Sequence, residues 1–329
     1  MSYDWGKLIM KARLFRPMLA AGRDHDMTME MWLSKIKFPV IATPKIDGIR
    51  CITLEPPEKS GWTCRPVCRS LKPVPNLAIF TAIATKCPAA LDGELVTYQP
   101  ADLLSGGGPK PFNGVQSDIM SVNGTPEFRY LIFDHGFLGE GQTREYITRL
   151  RLLETLELPD FCQVVPPVLI KSLDDLNVYE EAQILAGHEG ICFRRPDSPY
   201  KHGRSTMKEG WLVKMKRMET EEAGIIEVCE LMTNNNPVTE SCLGYAERSS
   251  HKHNMTPAGV MGKLICRSDK WPEPFGVGTG FTARDRELLW SQRDSLIGKT
   301  IVFRHQPHGS KGAAPRLPAF VGFRDQRDL

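Results

Sequence analysis

From Ile225 onward the chain reads as five short apolar strands with one helix between the third and fourth, and that pattern leaves few folds open. The strands are expected over residues 225–232, 259–267, 276–282, 300–304 and 319–324, with the helix over 283–294. Five strands and a helix in roughly 110 residues suit a small closed β-barrel of the oligonucleotide-binding-fold type. Gly276, Gly278 and Gly280 alternate along one strand, which marks a close backbone approach at a barrel corner.

Upstream the texture differs. Strand and helix signals are mixed over the first two thirds of the chain. Strands are expected over 39–43, 50–54, 90–98, 129–134, from 189, and over 211–215, the first two joined as partners across a turn holding Gly48. Tyr146, Leu150, Leu153 and Leu156 fall at helical steps within an expected helix over 142–158. A second helix is expected over 172–186, capped by Ser172 and ended by Gly187. The polar, acidic run Met218–Glu222 reads as a linker, so the expected domains are 1–218 and 219–329. The Gly/Pro-rich stretch 105–111 reads as a disordered insertion, since its glycines lack the Gly-Lys-Ser/Thr of a phosphate-binding loop.

Composition narrows the class further. In 329 residues, 41% are hydrophobic and 25% charged, which suits a globular protein with real cores. No run of 18 apolar residues is present, and Met1–Phe15 is interrupted by Asp4, Lys7, Lys11 and Arg13; no membrane association and a cytoplasmic location are expected. The net charge of +3 is uninformative, but residues 191–218 carry eight Lys/Arg against two acids. Such an excess suits a polyanion, or simply a solvated basic face. Nine scattered cysteines, with only Cys64 and Cys68 close together, read as reduced packing residues, and no zinc is expected.

The sharpest local feature is Thr43-Pro44-Lys45-Ile46-Asp47-Gly48-Ile49-Arg50. A lysine at a strand end before a glycine turn projects into a cleft. As a nucleophile its amine must be neutral, so its pKa must fall from about 10.4. Lys214 and Lys216, two apart on a strand and facing one way, are expected to push it down.

Lys45 to Arg50 matches the KxDGxR motif of the lysine-dependent nucleotidyltransferases, and the other motifs follow in the family's order. These are Arg69 in Cys68-Arg69-Ser70, Asp92-Gly93-Glu94, Tyr130 to Asp134, Glu189-Gly190-Ile191, Leu212 to Lys216, and Arg316-Leu317-Pro318 with Arg324-Asp325. From about Arg16 onward the chain resembles the minimal ATP-dependent DNA ligases of viruses, phages and some bacteria, with Tyr200 to Thr206 and Gly276 to Phe281 especially similar.

That resemblance implies an α+β fold of two domains, an adenylation domain of antiparallel sheets with helices followed by an OB-fold β-barrel domain. It also implies sealing of 5′-phosphate/3′-hydroxyl nicks in duplex DNA by a monomer, in replication, repair or recombination. It implies Lys45 as the nucleophile that takes AMP from ATP, with Asp47 steadying the turn or a metal-bound water. Thr43, Arg50, Glu94, Phe133, Cys192, Lys214, Lys216, Arg316 and Arg324 would hold the nucleotide. Phe133 would stack on adenine, and Arg50 and Glu94 would hold the ribose; a structural ion pair is the rival reading of those last two. Glu189 and Glu94 would bind Mg²⁺. Arg69, Arg204, Arg248 and Lys252 would meet DNA. Cys192 departs from the pattern, being smaller than the aliphatic residue or Met expected behind the purine. Residues 233–258, with Tyr245, Arg248, His251, Lys252 and His253, would form a latch on the duplex. RNA ligases and mRNA-capping guanylyltransferases share the lysine chemistry; a barrel protein with a dead nucleotide pocket is the non-catalytic rival.

Overall fold

The structure is a computed structural model that describes residues 15–22, 28–99, 107–216, 218–241, 246–249, 251–306 and 314–324. It divides into two compact units, the first of residues 1–216 with 240–245 and the second of residues 217–239 with 246–329.

In the first unit the strands are β1 (Met18–Leu19), β2 (Val40–Pro44), β3 (Ile49–Leu54), β4 (Arg65–Val67), β5 (Leu91–Thr97) and β6 (Phe128–His135). They continue as β7 (Cys162–Val164), β8 (Val168–Ile170), β9 (Ile191–Arg194), β10 (Gly203–Arg204) and β11 (Val213–Met215). The helices are α1 (Met29–Leu33), α2 (Leu77–Lys86), α3 (Phe112–Met120), α4 (Tyr146–Glu154) and α5 (Leu173–Leu185). Besides the short parallel pair β1-β10, two mostly antiparallel sheets result, one in the order β11-β9-β2-β8 and the other β4-β3-β5-β6-β7.

The expected hairpin of β2 with β3 is not formed: β2 pairs with β8 and β9, whereas β3 pairs with β4 and β5. Gly48 explains the step between sheets. A Cβ there would lie 2.3 Å from the Leu95 carbonyl oxygen, so the turn after Lys45 runs hard against β5 and delivers the chain to the second sheet. Ile79 and Ile83 of α2, with Val115 and Ile119 of α3, cover that sheet; Trp32 and Leu176 cover the first.

The helix expected over 142–158 is shorter, Tyr146–Glu154, because a 3₁₀ turn occupies Gly139–Thr143. Helix α5 forms as expected, with the Ser172 hydroxyl accepting from the Asp175 amide and Gly187 at φ +89° just past the end.

The second unit holds β12 (Glu219–Asn234), β13 (Val238–Glu240), β14 (Ala246–Arg248), β15 (Met255–Ser268), β16 (Trp271–Val277), α6 (Ala283–Ser291), β17 (Thr300–Gln306) and β18 (Arg316–Phe323). Five strands form one sheet in the order β16-β15-β12-β17-β18. A parallel bridge between Thr279 and Ala319 joins the two ends, closing the barrel around Ile225, Leu264, Phe275, Val277, Ile301 and Phe303. Gly280 permits that closure: at φ +90°, a Cβ would lie 2.3 Å from the Phe320 carbonyl oxygen.

Three expectations are corrected in this unit. Glu219–Glu222 is no linker but the start of β12, paired with β17. The strand expected over 276–282 sits earlier, at Trp271–Val277, leaving Gly278 and Gly280 in the closing turn. The span 233–258, expected as a latch-like loop, carries strand among its described residues: β12 and β15 stay paired out to Asn234 and Met255, and β13 pairs with β14 beyond them. Tyr245, Cys242, Asp325, Ser105 and Gly106 lie outside the described residues. The rest of the stretch expected as a disordered insertion is anchored: the Lys110 amide donates to the Thr97 carbonyl and its ammonium to Asp118, each at 2.8 Å.

Candidate active site

Lys45 follows directly on β2, whose Val40, Ile41 and Ala42 are buried and fix the strand's end. The Lys45 amide donates to the Gly190 carbonyl at 2.8 Å, and the Glu189 amide donates back to the Lys45 carbonyl at 3.3 Å. Gly190 is required there: at φ +144° a Cβ would meet the Met215 carbonyl oxygen at 2.3 Å. This close approach of β9 to β11 brings three charged side chains together. The Lys45 ammonium donates to Glu189 Oε2, and Lys216 Nζ lies 3.2 Å from Glu189 Oε1. The Lys45 side chain keeps 23% of its exposure.

The electrostatics correct one expectation. Burial alone lowers the Lys45 pKa, but the Glu189 carboxylate against it outweighs that and raises it above the ordinary lysine value. Burial works against Glu189's charge, yet Lys45 and Lys216 hold its carboxyl down to about 2. Lys214 does shift as a crowded cation should: burial, then Lys216, Lys45 and Arg204, lower its pKa. The nucleotide-free site therefore stores Lys45 as an ammonium.

The other sequence-predicted residues line up by register. Thr43 pairs with Cys192 across β2 and β9, Cys192 with Lys214 across β9 and β11, and Arg50 with Glu94 across β3 and β5. Burial raises Glu94 to about 7, with Arg50 and Lys45 opposing. Phe133 sits at a bulge, since Asp92 faces Asp134 while the adjacent Gly93 faces Ile132. A bulge re-aims a side chain, and the Phe133 ring stands 5.0 Å from the Arg50 guanidinium and 5.8 Å from that of Arg194.

Two buried carboxylates that motif reading left without a role organise this wall. Asp92, fully buried, accepts from two of the Arg50 guanidinium nitrogens, Nε and, at 2.6 Å, Nη2, and from the Tyr200 hydroxyl at 2.7 Å. Asp134, also fully buried, accepts Arg149 at 2.8 and 3.1 Å and the Arg194 guanidinium. Arg50 is thus aimed by Asp92, and Glu94 is not its ion partner. The signal was present: both acids lie in apolar strands, where an unpaired charge is not tolerated.

Arg69 lies in the turn after β4, and exposed Arg204 on β10 donates to the Ala20 carbonyl at 2.8 Å. Arg248 donates to the Asn236 carbonyl within the β13–β14 extension, and Lys252 is exposed in a 3₁₀ turn. In the second unit Arg316 opens β18 opposite Gln306, and Arg324 follows its end, 3.3 Å from Glu222.

The ATP dependent DNA ligase domain matches residues 17–216, well over half of the chain. The chain belongs to the ATP-dependent DNA ligase family. The DNA ligase OB-like domain matches residues 254–324, within the barrel unit. A DNA ligase of Natronomonas pharaonis is 26% identical over 284 residues, 78% of this chain and 46% of that protein. The chain spans about half the length of that curated relative. The DNA ligase of Haemophilus influenzae is 23% identical over 241 residues, 71% of each chain. A solved Lig E DNA ligase superposes with a TM-score of 0.62 at 21% identity, covering 94% of this chain and 99% of that one, a likeness of fold. The resemblance carried by the motifs, and the two-domain α+β fold it implied, both hold.

Proposed function

We propose that this chain is an ATP-dependent DNA ligase that seals nicks in duplex DNA through a lysine–AMP intermediate on Lys45. The observation that carries this reading is the meeting of Lys45, Glu189 and Lys216 at the ends of β2, β9 and β11, in a chain of this family.

In the first step the neutral Lys45 amine attacks the α-phosphorus of ATP, forming a P–N bond as pyrophosphate leaves. Lys214 and Lys216 stabilise charge on the phosphates. Phe133 offers a flat face for adenine, opposite the Cys192 side. Arg50, held rigidly by Asp92, donates to the ribose while Glu94 accepts from it. AMP then passes to the 5′-phosphate of a nick, and the 3′-hydroxyl attacks that phosphate, releasing AMP. Positioning and charge neutralisation account for the acceleration.

Glu189, bonded to Lys45, and Glu94, whose charge acts on Lys45, supply carboxylate oxygens that would suit Mg²⁺. Bound there, Mg²⁺ would neutralise phosphate charge and take up the negative charge that now keeps Lys45 protonated.

Arg316 and Arg324 are assigned to the leaving pyrophosphate, and Arg69, Arg204, Arg248 and Lys252 to the DNA backbone, where guanidinium and ammonium donors fit phosphate. Asp47 steadies the turn. The domains 1–218 and 219–329 act as a hinged pair, with residues 233–258 as a latch on DNA. The protein acts as a monomer, and its use of ATP fits a cytoplasmic location. Among the described residues no helix is long and apolar enough to cross a membrane. Incubating the protein with labelled ATP or GTP, Mg²⁺ and nicked DNA or RNA tests the reading. Label transfer from ATP and sealing of nicked DNA support it; use of GTP, or sealing of RNA alone, overturns it.

A further inference from the structure

In the barrel, Glu219 and Glu221 stand two apart on β12 and so face one way, and His305 on β17 is the direct cross-strand partner of Glu219. One ligand atom from each of the three lies within 4.8 Å of the others. His305 is 1% exposed. Its Nδ1 lies 3.1 Å from the Gln306 carbonyl oxygen, an acceptor, which assigns the ring proton to Nδ1. Nε2 is left with its lone pair, buried and without a hydrogen-bond partner, 3.7 Å from Glu221 Oε1 and 3.8 Å from Glu219 Oε2. An imidazole fixed through Nδ1–H to a carbonyl, with Nε2 aimed at two carboxylates, is how proteins prepare a histidine to bind a metal.

We propose that Glu219, Glu221 and His305 form a divalent transition-metal site of the Zn²⁺ class, separate from the Lys45 site. One imidazole nitrogen and two carboxylates suit Zn²⁺ better than Mg²⁺, which favours an all-oxygen shell with several waters. Bonds of about 2.1 Å to a tetrahedral ion set donor atoms roughly 3.4 Å apart. The partly exposed glutamates close the remaining few tenths of an ångström to Nε2 by torsion, and their own oxygens start within 4.8 Å of each other. In the metal-free protein the Lys270 ammonium holds the place: it donates to Glu221 and lies 3.5 Å from Glu219 Oε2, on a half-exposed side chain free to swing out. The sequence expectation of no zinc rested on cysteine pairs, and a His/Glu site escapes that test. The site does not depend on the ligase reading, and its test does not read sealing.

The experiment is a Co²⁺ titration of the whole protein in excess Mg²⁺, which fills oxygen-only sites. Visible absorption reports the metal's ligand field, with Zn²⁺ displacement as the check. The wild type should bind one Co²⁺ per chain, displaced by Zn²⁺. Glu221→Gln should weaken binding at least tenfold, and Lys270→Ala should tighten it severalfold by removing the competing ammonium. His305→Gln should abolish it; should that core variant fail to fold, the other two decide. Equal affinity in Glu221→Gln and wild type, or no Co²⁺ bound by either wild type or Lys270→Ala, would overturn the site.

Discussion

Lys45 and Glu189, 144 positions apart in sequence, are tied both through their backbones and through their side chains. The two main-chain bonds between Lys45 and the Glu189–Gly190 pair lock the strand ends together, so the carboxylate meets the amine without freedom to drift. The acid stores the lysine as a cation until a competing positive charge draws the carboxylate away.

Glu189→Gln therefore has two opposite effects. The Lys45 ammonium loses its counter-charge while Lys214 remains nearby, so its pKa falls. Amine-selective acylation at mildly alkaline pH, followed by peptide mass spectrometry, should modify Lys45 faster in the variant than in wild type. Adenylation by ATP should drop by about 10²-fold. Unchanged labelling would contradict the stored-ammonium state.

Glu94 gives the stability a pH dependence of definite sign. Its folded pKa, about 7, lies above the ordinary glutamate value of 4.5. The stability it contributes is fully present below 4.5 and is lost as pH rises through 7. Denaturant unfolding without nucleotide should show Glu94→Gln matching wild type at pH 4 and exceeding it at pH 8. A constant difference across that range would argue against a buried, protonated Glu94.

Asp92 aims Arg50, and removing its charge strands a buried guanidinium. Asp92→Asn should cost about 3–5 kcal/mol in urea unfolding. Tyr200→Phe, which removes one hydrogen bond to the same carboxylate, should cost about 1 kcal/mol. Similar small losses in both would assign Asp92 no special role.

The β12–β15 extension offers a clean cut, since Asn234 and Met255 are paired across its base. Replacing residues 235–254 with a two-residue turn should spare lysine adenylation and weaken binding to nicked DNA. Equal loss of both activities would count against the latch.

The barrel was legible because each of its strands carries a compact apolar run bounded by Gly, Pro or charge. Lys45, Arg50 and Glu189 could be singled out as candidates because they sit in short motifs, and the structure brings Lys45 and Glu189 together. Other features were hidden for physical reasons. Helix α2, Leu77–Lys86, is apolar on nearly all sides and rich in isoleucine and threonine, so it carries no clear helical period. The division of β2 and β3 between two sheets depends on one missing Cβ at Gly48, which adjacency in sequence does not reveal. The acidic run Glu219–Glu222 looked like a linker because its partner strand, β17, lies about 80 residues downstream. Register against distant strands likewise decided that Arg50 faces Glu94 yet bonds Asp92.

The most direct test is intact-mass spectrometry after incubation with ATP and Mg²⁺, without DNA. Wild-type protein should gain the mass of one AMP, lost again on adding nicked DNA, and Lys45→Ala should gain nothing. An adduct of the same mass on Lys45→Ala, or none on wild type, would contradict the assignment of Lys45 as the nucleophile.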